Sequence, residues 1–361
     1  MNFVIAAGGT GGHLFPGLAV GEVFVKRGHQ VMLIISQKEI DTLATQGRTE
    51  FRIERMPGTG IQSRSPVALV KVALKFWHGL GHVKNLYGEF QPRAVLGMGG
   101  FTSTAPILAG RSRGIPTFVH ESNAIPGKAN KLNARLVTRV LLGFEDCAKF
   151  FSAGKCEVTG TPIRTSLVQR LEKSAALAMF GLKPVAPTLL VMGGSQGARG
   201  INQALIGALP KLAGCALQII HLSGAADETQ LREAYAKAGI PAFVAAFHHR
   251  MEEAYSAADL AIARSGAASL TELSHFALPA ILIPYPYAAE DHQTLNANIF
   301  ERAGAAALLN ERETSGDNLA NKLRWFLDDP ARLSGMSAHS ASLAPTQAAE
   351  RVADVVLNFC T

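Results

Sequence analysis

Apolar residues along this chain fall into short continuous runs, each closed by glycine or a polar turn and followed by a longer stretch of helical period. Runs of that length, bounded by turn residues, are the signature of strands covered on both faces. The first, Phe3 to Ala7, passes at once into Gly8-Gly9-Thr10-Gly11-Gly12-His13, and residues 14–27 read as a helix stopped by Gly28. Residues 29–35, 93–98, 116–120 and 137–142 read as further strands, with 158–164 as the one that closes the first half. The rhythm restarts at 188–192 with a second glycine loop, Gly193-Gly194-Ser195-Gln196-Gly197, and the strands 217–222, 242–247, 258–263 and 279–284 follow.

Strand and helix in alternation imply parallel sheets joined by right-handed crossovers. Two occurrences of one pattern imply an α/β chain of two Rossmann-like domains facing across a cleft, 1–163 and 164–343. Residues 344–361 hold an amphipathic helix with Val352, Val355, Val356 and Phe359 on one face, expected to pack back onto the first domain. The length of 361 residues fits two domains at about 150 residues each.

Charge divides along the same line. Residues 1–160 hold 19 Lys+Arg against 10 Asp+Glu, a balance of +9, while 161–361 hold 16 against 18, a balance of −2. The first half is therefore expected to meet something anionic, either nucleic acid or an anionic membrane leaflet. Aromatic-interleaved RNA motifs are missing from it, which disfavours nucleic acid. The cysteines, Cys147, Cys156, Cys215 and Cys360, show no metal-ligand spacing and make no disulfide framework, so a reducing cytosol is expected. The opening run has no basic flank of a signal peptide, and no run of about 20 apolar residues exists to span a bilayer.

The opening turn carries the candidate chemistry. Glycines on both sides of Thr10 let backbone N–H groups approach an anion, and the helix behind them presents its positive end. The turn departs from G-x-G-x-x-G, and Ser36-Gln37-Lys38 offers no carboxylate to a ribose, so a nicotinamide cofactor is disfavoured; no P-loop motif is present. His120, Glu121 and Asn123 fall at a strand's carboxyl end, where open α/β sheets bind ligands. Glu272 stands in the first turns of a helix behind a glycine turn, placed either to accept two hydrogen bonds from a ribose diol or simply to complement the dipole. His292 lacks a second ligand at metal spacing, and no metal is expected. Residues 66–87 read as a basic amphipathic helix with Lys71, Lys75 and Lys84 around Trp77, suited either to partial burial or to a membrane surface.

Seven segments in register, GGTGGHLFPGLAV, MGGFTSTAP, HESNAIPG, TGTPIR, GGSQGARGIN, RSGAASLTE and PYPYAAEDHQTLNA, resemble the MurG family, the N-acetylglucosaminyltransferases of bacterial peptidoglycan synthesis. The resemblance covers essentially the whole chain. It implies the GT-B fold and inverting transfer of N-acetylglucosamine from UDP-N-acetylglucosamine to the C4 hydroxyl of undecaprenyl-diphospho-N-acetylmuramoyl-pentapeptide (lipid I, giving lipid II), with no cofactor. It also implies peripheral attachment to the anionic cytoplasmic face of the inner membrane, and cell-wall synthesis proteins as partners. By matching motif, Thr10, Gly11, Gly12 and Asn123 are expected at the donor sugar or diphosphate, Arg164 and Ser195 at phosphate, Glu272 at the ribose and Gln293 at the sugar hydroxyls. Ala267, Ala268, Ser269, Leu270 and Thr271 would offer backbone groups near the diphosphate, and His248 stands where the family lines the uracil pocket. His13 is the favoured general base over Glu121, since an ordinary imidazole titrates near neutrality. The alternatives are a related GT-B enzyme with another lipid or aglycone acceptor, or a non-catalytic UDP-sugar sensor. The family usually has Tyr at Phe101, Gln at Ser122, Asn at Thr161, Gly-Lys at Gly224-Ala225 and Ile at His248.

Overall fold

The computed structural model describes residues 1–56, 65–194 and 197–360. It divides into two compact units, Met1–Arg164 with Pro345–Thr361, and Thr165–Ala344.

Unit 1 is a sheet of seven parallel strands in the order β3-β2-β1-β4-β5-β6-β7. These are β1 (Asn2–Ala6), β2 (Gln30–Ser36), β3 (Arg52–Met56), β4 (Ala94–Gly97), β5 (Thr117–Glu121), β6 (Arg139–Leu142) and β7 (Cys156–Val158). Its crossovers carry α1 (Gly11–Lys26), α2 (Glu39–Thr45), α3 (Pro66–Phe90), α4 (Thr104–Arg111) and α5 (Lys128–Asn133). Side chains alternate along a strand, so a fully apolar strand feeds two cores. Phe3 and Ile5 point to a core with Leu14, Leu18 and Phe24 of α1, Phe3 stacking on Phe24 at 4.2 Å. Val4 and Ala6 point the other way, to Leu80, Val83 and Tyr87 of α3. The final helix of the chain, Ala348–Asn358, brings Val352, Val355 and Val356 into the α1 side of unit 1.

Unit 2 repeats the plan with six parallel strands in the order β10-β9-β8-β11-β12-β13. Its elements are α6 (Lys173–Met179), β8 (Thr188–Met192), α7 (Arg199–Leu212), β9 (Gln218–Leu222), α8 (Glu228–Ala238), β10 (Ala242–Ala245), α9 (Met251–Ala257), β11 (Leu260–Ala263), α10 (Ala267–His275), β12 (Ala280–Leu282), α11 (His292–Arg302), β13 (Ala306–Leu308), α12 (Gly316–Leu327) and α13 (Pro330–Ser342). The last helix of the chain is then α14. Val191, Ile219 and Ile262 of the sheet are buried with Leu205 and Leu209 of α7 and Leu323 and Phe326 of α12.

The closing strand differs from the sequence expectation. β7 ends at Val158; Thr159 and Gly160 then both donate to the Leu142 carbonyl, and Gly160 turns with φ +79°. Residues 159–164 are therefore loop. Edge strands β3 and β13 escape a hydrophobicity reading, the first because Arg52, Glu54 and Arg55 make three of its five residues charged and the second because it has three residues.

Candidate functional site

In each sheet the strand order reverses at one place, between β1 and β4 in unit 1 and between β8 and β11 in unit 2. Loops leaving adjacent strands at such a switch point run in opposite directions and open a crevice at the carboxyl ends. Both glycine loops of the sequence leave from these strands.

In unit 1, Thr10 is the N-cap of α1 and caps nothing with its side chain; its Oγ1 lies 3.3 Å from His13 Nδ1 instead. The His13 ring rests against the loop after β4, where a Cβ added at Gly99 would stand 2.8 Å from Nε2. Gly99, at φ +111°, is thus glycine for two reasons, backbone conformation and the space taken by the imidazole. Gly11 and Gly12 open α1, where N–H groups have no intrahelical acceptor.

Behind this mouth lies His120, fully buried. Its Nε2 donates to the Gly160 carbonyl at 3.0 Å and its Nδ1 faces Ser122 Oγ at 3.3 Å, which assigns the neutral tautomer protonated on Nε2. Burial lowers its pKa, consistent with that neutral state. Glu121 beside it accepts four hydrogen bonds. Oε1 takes the Asn123 backbone N–H at 2.9 Å and its side-chain amide at 3.0 Å, while Oε2 takes Gly127 N–H at 3.1 Å and the Asn130 amide at 2.8 Å. Its lone pairs are committed to shaping the 121–130 loop. Asn123 is fixed by the same carboxylate, and Arg164 stacks its guanidinium over Phe15 at 4.6 Å.

In unit 2, Gly194 (φ +87°) and Gly197 (φ +75°) carry the chain from β8 to α7. Ser195 lies outside the described residues. A Cβ at Gly197 would stand 2.1 Å from the Ser223 carbonyl, so loop and β9 end are pressed together. Gly266 begins α10 without a side-chain cap, leaving the N–H groups of Ala267, Ala268 and Ser269 to the mouth. Leu270 donates back to the Gly266 carbonyl and fills the core, and Thr271 spends its hydroxyl on the Ala267 carbonyl at 2.9 Å. The structure thus brings forward only the first three of the five residues expected there.

Glu272, one turn on, is largely buried and receives the Tyr255 hydroxyl on Oε2 at 2.7 Å. Gln293 uses Oε1 to accept Tyr285 N–H at 2.9 Å and Ser265 N–H at 3.3 Å, which orients its amide. Arg264 clamps the carbonyls of Ile283 and Pro284 and meets both oxygens of Glu311 at 2.8 and 3.0 Å. His248 turns its ring inward, with Nε2 3.0 Å from the buried Glu253 carboxylate and the Phe180 ring packed at 5.2 Å. Its side chain is therefore occupied within the turn. His292 Nδ1 sits 2.7 Å from the Ala289 carbonyl, a helix-start contact.

Beneath the loops of unit 2 runs a hydrogen-bond network that the sequence does not announce. His221, near the carboxyl end of β9, is buried; the Tyr235 hydroxyl lies 2.7 Å from Nδ1, and Asn202 Oδ1 lies 3.0 Å from Nε2. Asn202 passes the order on, donating to the Ser223 carbonyl at 2.9 Å and to Asp227 at 2.7 Å. Burial lowers the His221 pKa to about 3. A cavity of about 650 Å³ opens at the opposite, amino-terminal edge of this sheet, but its charged members, Lys173 and Asp259, are paired with each other and its other walls carry no reactive group.

The glycosyltransferase family 28 N-terminal domain matches residues 3–142 and the family's C-terminal domain matches residues 188–353. A UDP-N-acetylglucosamine–N-acetylmuramyl-(pentapeptide) pyrophosphoryl-undecaprenol N-acetylglucosamine transferase from Geotalea uraniireducens is 37% identical, covering 98% of this chain and 97% of its own. One of the same description from Geobacter metallireducens is 38% identical over 99% of this chain and 98% of its own. Among solved structures, Acinetobacter baumannii MurG superposes with a TM-score of 0.79 at 27% identity, covering 99% of both chains.

Proposed function

The chain belongs to the family of UDP-N-acetylglucosamine–N-acetylmuramyl-(pentapeptide) pyrophosphoryl-undecaprenol N-acetylglucosamine transferases, and from that premise we propose how its two units divide the reaction. It is a glycosyltransferase of the GT-B fold that moves N-acetylglucosamine from UDP-N-acetylglucosamine to lipid I in peptidoglycan synthesis. The observation that carries the division is chemical. At its switch point unit 1 presents an imidazole among glycine N–H groups, and unit 2 presents a carboxylate among helix N-termini.

Unit 2 holds the donor. Glu272 accepts the ribose hydroxyls, braced by Tyr255; the starts of α7 and α10, with Ser195, take the diphosphate; the backbone around His248 meets the uracil; Gln293 reads the sugar hydroxyls. Unit 1 holds lipid I and deprotonates it. His13 takes the proton from the C4 hydroxyl as that oxygen bonds to the anomeric carbon with inversion, the bond to the diphosphate breaks, and UDP leaves with the electron pair. Helix N-termini and Arg164 stabilise the charge that develops on the leaving diphosphate. Glu121 acts by fixing Asn123 and its loop rather than as a base, since its oxygens already accept four hydrogen bonds.

The acceptor is a lipid, and α3 offers the means to reach it at the cytoplasmic face of the inner membrane. Beyond its buried half, Lys71, Leu74, Lys75 and His78 fall on one face at helical spacing, with Leu74 65% and Trp77 66% exposed. Exposed apolar groups amid lysines fit an anionic leaflet. No helix among the described residues is long and apolar enough to cross a membrane.

The test of the reading is acceptor-dependent release of UDP from UDP-N-acetylglucosamine. Release only when lipid I is supplied supports it; binding of UDP-sugar without release on adding lipid I would make the chain a sensor. Vesicle binding that is indifferent to replacing Lys71 and Lys75 would remove the membrane role of α3.

A further inference from the structure

Gly9 is held from both sides by the segment that follows β2. Asp41, in the first turn of α2, is completely buried. Its Oδ2 accepts the Gly9 N–H at 2.8 Å, the Ser36 N–H at 3.0 Å and the Ser36 hydroxyl. Lys38, exposed on the turn between β2 and α2, donates from Nζ to the Gly9 carbonyl at 2.7 Å. Both backbone groups of one glycine are thus committed to two charged side chains, and charge-assisted hydrogen bonds are the stronger kind. The fit is tight as well: a Cβ on Gly8 would stand 2.6 Å from Asp41 Oδ2 and 2.7 Å from Ser36 N.

The consequence lies one residue further on. Since the Gly9 N–H is already used, the donors left for a ligand start at Thr10, the N-cap of α1, and continue through Gly11 and Gly12. Thr10, fixed by its neighbour, is the N-cap of α1, and its hydroxyl meets His13 Nδ1. We propose that Asp41 and Lys38 are positioning residues for His13, acting by clamping Gly9 so that the imidazole and the first N–H groups of α1 are held in their working arrangement. The proposal rests on the reading of His13 as the general base.

The experiment uses the full chain with UDP-N-acetylglucosamine and vesicle-borne lipid I, comparing Lys38→Met, Asp41→Asn, their double variant and His13→Ala. Lys38 is exposed, so its replacement leaves folding intact and isolates the clamp. Misplacing a reacting group by about 1 Å costs on the order of 100-fold, so partial release is expected to lower kcat roughly 3- to 10-fold in Lys38→Met and roughly 10- to 30-fold in Asp41→Asn. The acid limb of the kcat–pH profile should move in both, while UDP affinity stays unchanged. Because both act through Gly9, the double variant should be no slower than Asp41→Asn alone.

Multiplying effects in the double variant would overturn the clamp. So would a raised KM for lipid I in Lys38→Met beside a parent-like Asp41→Asn, which would make Lys38 a direct ligand of the acceptor. A kcat loss in Asp41→Asn that only tracks the folded fraction would overturn it too. Parent-like Lys38→Met and Asp41→Asn beside an inactive His13→Ala would refute the clamp alone, whereas a parent-like His13→Ala would remove the reading beneath it.

Discussion

The two units carry the same device, a glycine loop at a sheet's switch point, and hold it by different chemistry. In unit 1 buried carboxylates do the holding: Asp41 gathers Gly9 and Ser36, and Glu121 gathers Asn123, Gly127 and Asn130. In unit 2 the support beneath the loop centres on a buried imidazole, His221 with Tyr235 and Asn202, the last tied to the Asp227 carboxylate, while Arg264 compensates the charge of Glu311 nearby. A buried carboxylate braced by N–H groups holds the loop in a unit whose residues 1–160 carry a balance of +9. On the proposed division, the helix N-termini of unit 2 supply the field felt by the donor diphosphate.

The largest effect expected from breaking this contrast is at His13. His13→Ala should lower kcat by at least ~100-fold, measured as UDP release with saturating donor and lipid I. Glu272→Ala should raise the KM for UDP-N-acetylglucosamine by roughly 10-fold or more, on the scale of lost charged hydrogen bonds, and a KM within twofold of the parent would remove it from the ribose.

The buried imidazole of unit 2 makes a prediction about acid. Burial holds His221 at about 3, below its ordinary 6.5, so the folded chain keeps it neutral while the unfolded chain takes up a proton as pH falls through 6.5. Stability is therefore full above that pH and is lost on acidification down to about 3, by up to ~1.4 kcal/mol per pH unit. The lowered pKa of His120 works in the same direction in unit 1. Urea unfolding at pH 7 and pH 5 should show the loss, and His221→Asn, though less stable at pH 7, should flatten its slope. Smallest is the effect at α14: Val352→Ala, in the α1-side core, should destabilise unit 1 by about 1–3 kcal/mol, seen as a lowered denaturation midpoint with UDP affinity retained.

How much of this is visible in the residues depends on whether the signal is local. Central strands such as β1 and β8 announce themselves because four of their five positions form an unbroken apolar run, and the face of α14 is legible in Val352, Val355 and Val356. Charge-rich β3 and three-residue β13 owe their state to pairing with β2 and β12, which no local pattern encodes. The glycine loops, His13 and Glu272 stand out because polar residues interrupt apolar runs. Asp41 does not, since an acidic residue in a helix's first turn reads as ordinary dipole complementarity, and only its burial under Gly9 reveals its use. Glu121 as anchor and His248 turned toward Glu253 are likewise decided by contacts distant from strand-end position.

The division of labour is tested most directly by titrating UDP into the His13→Ala and Glu272→Ala chains in a calorimeter. The account predicts parent-like affinity, within about twofold, for His13→Ala and at least ~10-fold weaker binding for Glu272→Ala. Weakened UDP binding in His13→Ala beside intact binding in Glu272→Ala would contradict it.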